Sequence, residues 1–284
     1  MKIDTHLHVM TESFFGRPPT DFGKLLDDLQ GVGLDGGWIS AVDGLITRDL
    51  QVQIRTHDRM AAGMANHPGC FRGFCTVEPG AMDAAGKEIE RCRRELDFIG
   101  IKIHSWLQGF SLTHKGMRII METAEALSMP VLFHDGTPPY ASSLQVLWLA
   151  RQFPRTQVIL GHCGLLDQWP DAVAGAQQTA NVWLQPTCAP PIAIRAALDA
   201  VGDDRILFGS DGGYGSPRFI RYCLKKNEYA LGEQALLKAM SENPIRLLHR
   251  KRQTDRRPPE MAAGDGVQDQ GKTMGIFYGE RRKA

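Results

Sequence analysis

No apolar run in this chain approaches the roughly 20 residues that a membrane-spanning helix needs, so the sequence offers no transmembrane segment. Cys-x-x-Cys pairs are absent too, and the six cysteines, at 70, 75, 92, 163, 188 and 223, form no secretory disulfide framework. The N-terminus opens directly into a polar, motif-bearing stretch where a signal peptide would be apolar, which together with the cysteine usage predicts a reduced, cytoplasmic protein. Neither sign of charge dominates. With 33 Lys and Arg against 32 Asp and Glu, the net charge of +1 argues against a nucleic-acid partner, and a hydrophobic content of 43% argues against a disordered chain. No glycine-rich phosphate fingerprint follows any candidate strand, which removes the usual signal of a dinucleotide-binding sheet.

What remains is a chain of 284 residues whose apolar runs recur at intervals of roughly 30 residues, the spacing of repeated strand-helix units. Eight runs can be counted: 1–8, 37–42, 71–77, 98–104, 131–134, 158–162, 182–185 and 206–211. Between them lie amphipathic stretches at 22–29, 50–66, 84–96, 115–127, 142–153, 193–201 and 218–229, and a last helix is expected over 232–248. Eight strands with helical crossovers predict a single α/β domain, a closed (β/α)8 barrel over residues 1–249. Residues 250–284 carry nine Lys and Arg against five acids, with Pro258-Pro259 and five glycines, and predict a basic, flexible tail. Within it Ile276-Phe277-Tyr278 could dock on the barrel or on a second subunit, which leaves a homodimer open.

The polar residues fall at the ends of the runs. His6, His8, His134, His162 and Asp211 each close a β-branched or aliphatic stretch, as does His104. In such a barrel the carboxyl ends of the strands form the face on which active sites are built. A single buried histidine is usually a satisfied core group. Several inward imidazoles in one core would each need a partner, however, and a divalent metal supplies it. Strand alternation places Asp4, His6 and His8 on one face.

These residues resemble the amidohydrolase superfamily, and more closely its amidohydrolase-related branch, over about residues 1–249. The likeness rests on Ile3-Asp4-Thr5-His6-Leu7-His8, Gly100-Ile101-Lys102-Ile103-His104, Pro130-Val131-Leu132-Phe133-His134, Val158-Ile159-Leu160-Gly161-His162-Cys163-Gly164, Asp204 through Asp211, and Asn243-x-x-Arg246-Leu247. The resemblance implies a TIM-barrel hydrolase. His6, His8, His134 and Asp211 would hold a divalent metal, with zinc expected. Asp211 and His162 would handle protons for an activated water, and His162 is also a candidate second-metal ligand. Lys102 could be carboxylated to bridge two ions, with His134 and His162 on the second. Unmodified, it would pair with Asp4 or Glu78 or meet an anionic substrate.

The function expected on this basis is hydrolysis of a small amide, cyclic amide or lactone. The alternative is metal-dependent nonoxidative decarboxylation of an aromatic or enoic acid, against which stands the scarcity of arginines near the motifs, Arg17 being the obvious one. Lys102, His104 and Arg17 are the further candidates for second-metal or substrate contact, and Trp106, Tyr140, Cys188 and Tyr214 follow strands as pocket-lining candidates. Cys163 should face away from the metal and serve packing. For His57, His67, His114 and His249, in or beside helices, the default is a solvated or capping role.

Overall fold

A computed structural model describes residues 1–13, 16–213 and 215–249. Seven of the runs form strands: β1 (Ile3–Val9), β2 (Gly36–Ala41), β3 (Phe71–Cys75), β4 (Gly100–Ile103), β5 (Val131–Phe133), β6 (Val158–Leu160) and β7 (Val182–Leu184). Every neighbouring pair is parallel and the spatial order follows the chain, β1 to β7. Parallel strands joined by helical crossovers are covered on both faces, and all the residues of β2, β4, β5, β6 and β7 are buried. The helices begin where side chains take their free amides: Asp21 accepts from Lys24 ahead of Phe22–Gln30, and Asp49 accepts from Gln51 ahead of Leu50–Ala65.

The eighth run differs from expectation. Residues 206–212 form no regular strand, although they touch both edges of the sheet through isolated parallel bridges, Leu184 to Ile206 and Leu7 to Gly212. Backbone bonds run from Leu207 to Leu184, from Thr5 to Phe208, from Asp211 to His6 and from His8 to Gly212. The ladder is broken by a side chain. Asp4 Oδ1 accepts the amides of both His6 and Ser210, and the β1–β2 register shifts between Asp4 and Leu7. That bulge interrupts the simple alternation of β1 between Asp4 and Leu7.

Two apolar clusters flank the strands. The smaller takes inward side chains from around the curled sheet, namely Trp38, Phe74, Ile99, Leu132, Ile159, Trp183 and Leu207, with Leu247 beneath, and forms the floor on which the polar strand ends stand. The larger packs the helices on the outside. The last helix, Glu233–His249, is tied down by its Asn-x-x-Arg motif: buried Asn243 donates to the carbonyls of Asp203 and Ile206, and Arg246 pairs with Asp204. A helix over Trp169–Gln177 escaped the sequence pattern, because it has almost no polar face and packs through small residues. A Cβ on its Gly175 would lie 2.1 Å from Leu147. No helix among the described residues is long and apolar enough to cross a membrane. Tyr214 and the tail beyond residue 249, including Ile276-Phe277-Tyr278, lie outside the described residues.

Candidate functional site

The strand ends converge. His6 and His8 leave β1, Lys102 stands on β4, His104 and His134 follow β4 and β5, His162 follows β6, and Asp211 closes the 206–212 segment. Asp211 Oδ1 lies 3.0 Å from His8 Nε2 and 3.5 Å from His6 Nε2. The ligand atoms of these three residues all fall within 4.8 Å of one another. His162 and Cys188 form a second such group with the same Asp211. The turn carrying Asp211 is shaped for this approach: its own φ is +63°, and a Cβ on Gly213 (φ +108°) would meet the His8 carbonyl at 2.2 Å.

The remaining expected residues are distributed around this centre. His134 is outside the His6–His8–Asp211 group. Its ring packs edge-on against His162 at 4.3 Å and stacks on His104 at 3.8 Å, while its Nε2 sits 2.7 Å from Thr137 Oγ1. His104 accepts the Leu107 amide on Nδ1 and so begins a short helical turn, with Trp106 exposed beside it. Lys102 is fully buried, and its Nζ lies 2.8 Å from His6 Nε2. Neither expected carboxylate partner is the one it meets. Glu78 takes Arg48 and the Gly80 amide, and Asp4 takes backbone amides. Arg17 is exposed and lines a cavity of about 270 Å³ with Thr20, Gly213 and Ile220, whose walls include none of the site histidines. Tyr140 is exposed, and its carbonyl accepts from Ser105, joining the loops after β4 and β5.

Burial sets the protonation of the cluster. It holds His6 well below the ordinary imidazole range, with the Lys102 charge acting in the same direction, and it lowers His162 to about 4 and His104 to about 2. His134 is pushed down for the same reason. Lys102 is lowered to about 8 by burial, against the pull of Asp211 and Asp135. For Asp211 burial works against ionisation, but the His8 hydrogen bond and the neighbouring His6 and His162 outweigh it and hold the carboxyl far below its usual range. The result is that His6, His104, His134 and His162 stand as neutral imidazoles around one carboxylate, the protonation states in which these groups bind metals.

Second partners orient the rings. Ser40 Oγ is 3.1 Å from His8 Nδ1, and His162 Nδ1 donates to the Thr187 carbonyl at 3.2 Å, which leaves Nε2 of His162 for the site. His6 Nδ1 is buried without a hydrogen-bond partner, so the ring is held only through Nε2, which faces the Lys102 ammonium and Asp211. A nitrogen already facing positive charge, two imidazoles oriented through their other nitrogens and one ionised carboxylate fit a divalent ion.

Sequence reasoning passed over Asp135 and misjudged His57. Asp135 is fully buried and accepts from the amides of His162 and Gly164 and from Ser143 Oγ, each at 2.7 Å, so it fixes the turn that presents His162. Its position directly after His134 was the available signal. His57 is neither solvated nor a cap. It is buried, its Nδ1 lies 2.6 Å from Glu88, and its Nε2 accepts the Thr76 amide. A histidine on the buried face of Leu50–Ala65 must find polar partners, and Glu88, braced by Arg91, provides them. His114 does cap, His67 is half-buried against Phe71, and His249 is exposed. Cys163 is buried in the outer apolar cluster, and none of the six cysteines is in a disulfide.

Comparison with known proteins gives this geometry a context. A curated relative, gamma-resorcylate decarboxylase of Polaromonas sp. (strain JS666), is 27% identical over 154 residues, which are 42% of this chain and 46% of that protein, so the match spans less than half the relative's length. Among solved structures, 5-carboxyvanillate decarboxylase from Sphingomonas paucimobilis shares the fold with a TM-score of 0.67 at 16% identity, covering 87% of this chain and 98% of that one. The enzyme of the same name from Novosphingobium aromaticivorans, complexed with manganese and 4-hydroxy-3-methoxy-5-nitrobenzoic acid, matches with a TM-score of 0.67 at 18% identity over 79% of each chain. Residues 3–250 match the profile of the amidohydrolase family, and the chain belongs to that family.

Proposed function

We propose that this protein is a metal-dependent, nonoxidative decarboxylase of a small hydroxylated aromatic acid, working in a closed (β/α)8 barrel whose eighth strand is the 206–212 segment. The observation that carries the reading is Lys102. It is the only buried Lys or Arg among the described residues, and it faces the histidine cluster. A buried ammonium is costly unless it meets negative charge. Asp211 and Asp135 supply part of that charge, with Asp211 shared with the ion, and a carboxylate substrate adds to it where a neutral amide or lactone does not. The decarboxylase relatives point the same way, so the alternative now precedes the hydrolase reading. Lys102 also supplies the cation that the scarcity of arginines had left missing.

His6, His8 and Asp211 would hold the ion, with His134 the remaining candidate ligand. When bound, a divalent ion supplies Lewis-acid anchoring for anionic substrate oxygens. Manganese is found in a structural relative, and zinc fits the imidazole donors of this chain equally well. The reaction replaces a carboxylate by hydrogen: the C–C bond breaks, CO2 leaves, and its electron pair on the ring carbon takes a proton. His162 and Asp211 are the groups placed to deliver that proton. His162 is fixed through Nδ1, and because burial lowers it to about 4, its imidazolium is a strong acid once formed. Asp211, ionised and within reach of His162, stabilises that imidazolium as it forms.

The test is to load the protein with manganese or zinc and offer hydroxybenzoic acids alongside amides and lactones. Stoichiometric CO2 and the corresponding phenol are expected. Ring opening of amides or lactones with no CO2 from any acid would return the hydrolase reading to first place.

A further inference from the structure

Cys188 has no part in the chemistry above, yet its sulfur lies within 4.8 Å of the ligand atoms of both His162 and Asp211. We propose that His162 Nε2, Cys188 Sγ and Asp211 form a second cation position, selective for a thiophilic divalent ion such as zinc, with Asp211 shared between this position and the His6–His8 position. The inference rests on the metal reading of the first position and goes beyond it. It gives the site two ions without a carboxylated lysine.

Three observations support a built site. Ligand atoms around a tetrahedral zinc ion are about 3.3–3.8 Å apart for bond lengths of 2.0–2.3 Å, so a group already within 4.8 Å needs only a small contraction. His162 is held by its Nδ1 bond to the Thr187 carbonyl, the arrangement that directs Nε2 to a metal. Cys188, the next residue, has a φ of +61°, a conformation uncommon for a residue with a side chain and retained where the surroundings impose it. The turn is fastened by Thr187, whose amide donates to the Gln185 carbonyl and whose hydroxyl donates to the Gly209 carbonyl. Burial raises the Cys188 thiol and Asp211 acts in the same direction, while Lys226, which donates to the Ala189 carbonyl, works against them, so the thiolate forms with the metal and not before it.

A comparable trio elsewhere has its ligand atoms already engaged. His57, Glu88 and Cys92 are close together. The Thr76 amide points at His57 Nε2, so the ring proton must sit on Nδ1, where a metal would have to bind, and Arg91 holds both oxygens of Glu88. That trio is a satisfied hydrogen-bond network. At His162 the Thr187 carbonyl holds the ring proton on Nδ1, which leaves the Nε2 lone pair without a proton.

Thiolate selects zinc, cobalt or cadmium over manganese and magnesium. The full-length protein, stripped of metal, should therefore bind one equivalent of manganese and two of cobalt, the second cobalt bringing a thiolate-to-cobalt charge-transfer band in the near ultraviolet. Cys188→Ser and Cys188→Ala should each lose the band and the second equivalent while keeping the first, and Cys223→Ser should keep both. Cobalt should also protect Cys188 from alkylation, read by mass spectrometry on the unmutated chain. One equivalent of cobalt without a thiolate band in the unmutated protein, or a band that survives Cys188→Ala, would overturn this proposal and leave the first position standing. Failure to bind cobalt or manganese at all would overturn both.

Discussion

Each imidazole of the cluster takes its role from what its other nitrogen touches. Ser40 can donate to or accept from His8, so the His8 Nε2 that now meets Asp211 can also be freed for a metal. His6 has no such partner on Nδ1 and depends on what Nε2 meets. His6→Ala or Asp211→Asn should accordingly abolish both metal binding and turnover, checked by elemental analysis and CO2 release. His162→Ala should behave differently. Manganese at the first position should remain while turnover falls by a factor on the order of 10² to 10⁴, the range for a positioned acid-base group. Parallel loss of manganese would place His162 among the ligands of the first position instead.

At the level of elements, the site is a set of turns held in place by buried polar clamps. Asp135 joins the end of β5 to the turn after β6, and Gly136 beside it (φ +92°) packs so closely that a Cβ would lie 2.6 Å from the Gly164 carbonyl carbon. Asp135→Ala leaves the amides of His162 and Gly164 without acceptors, each costing about 1–3 kcal/mol when buried. It should therefore lower stability by on the order of 3 kcal/mol in chemical unfolding, with loss of turnover beyond what the stability change explains. Clamps of this kind are where the sequence was hard to read. Strand-terminal His6, His8, His162 and Asp211 were legible because each ends an apolar run, and His6 and His8 also share a period-two spacing. Asp135 and His57 were not, because their partners are distant in the chain and no spacing rule links them. The bulge at Asp4 and the irregular 206–212 segment were hidden for the same reason: a side chain replaces ladder bonds, and alternation cannot report it.

For the molecule as a whole, the site makes the fold sensitive to acid. His162 and His104 titrate near 6.5 when unfolded but are lowered to about 4 and about 2 in the fold, so between those values the unfolded chain binds more protons and stability falls as pH falls. Asp4, raised to about 7 by burial, works in the opposite sense, gaining stability as pH drops from 7 toward 3.8. Asp135, also raised by burial, and His57, raised against burial to about 9 by Cys92 and Glu88, act with Asp4, and the four lowered imidazoles His6, His104, His134 and His162 outweigh the three. Metal-free protein should thus unfold at lower urea concentration at pH 5 than at pH 7.5, by an amount on the order of 2 kcal/mol for His162 alone. Asp4→Asn should steepen the decline by removing the offset. Both apolar clusters and every residue placed in the site lie within residues 1–249, and Asn243 and Arg246 already anchor the last helix to the 203–206 turn. A chain ending at Arg250 should therefore fold cooperatively and bind manganese with unchanged stoichiometry. If residues 251–284 serve association, sedimentation of the shortened chain should shift while its turnover does not. A shortened chain that cannot fold would place the domain boundary beyond residue 250.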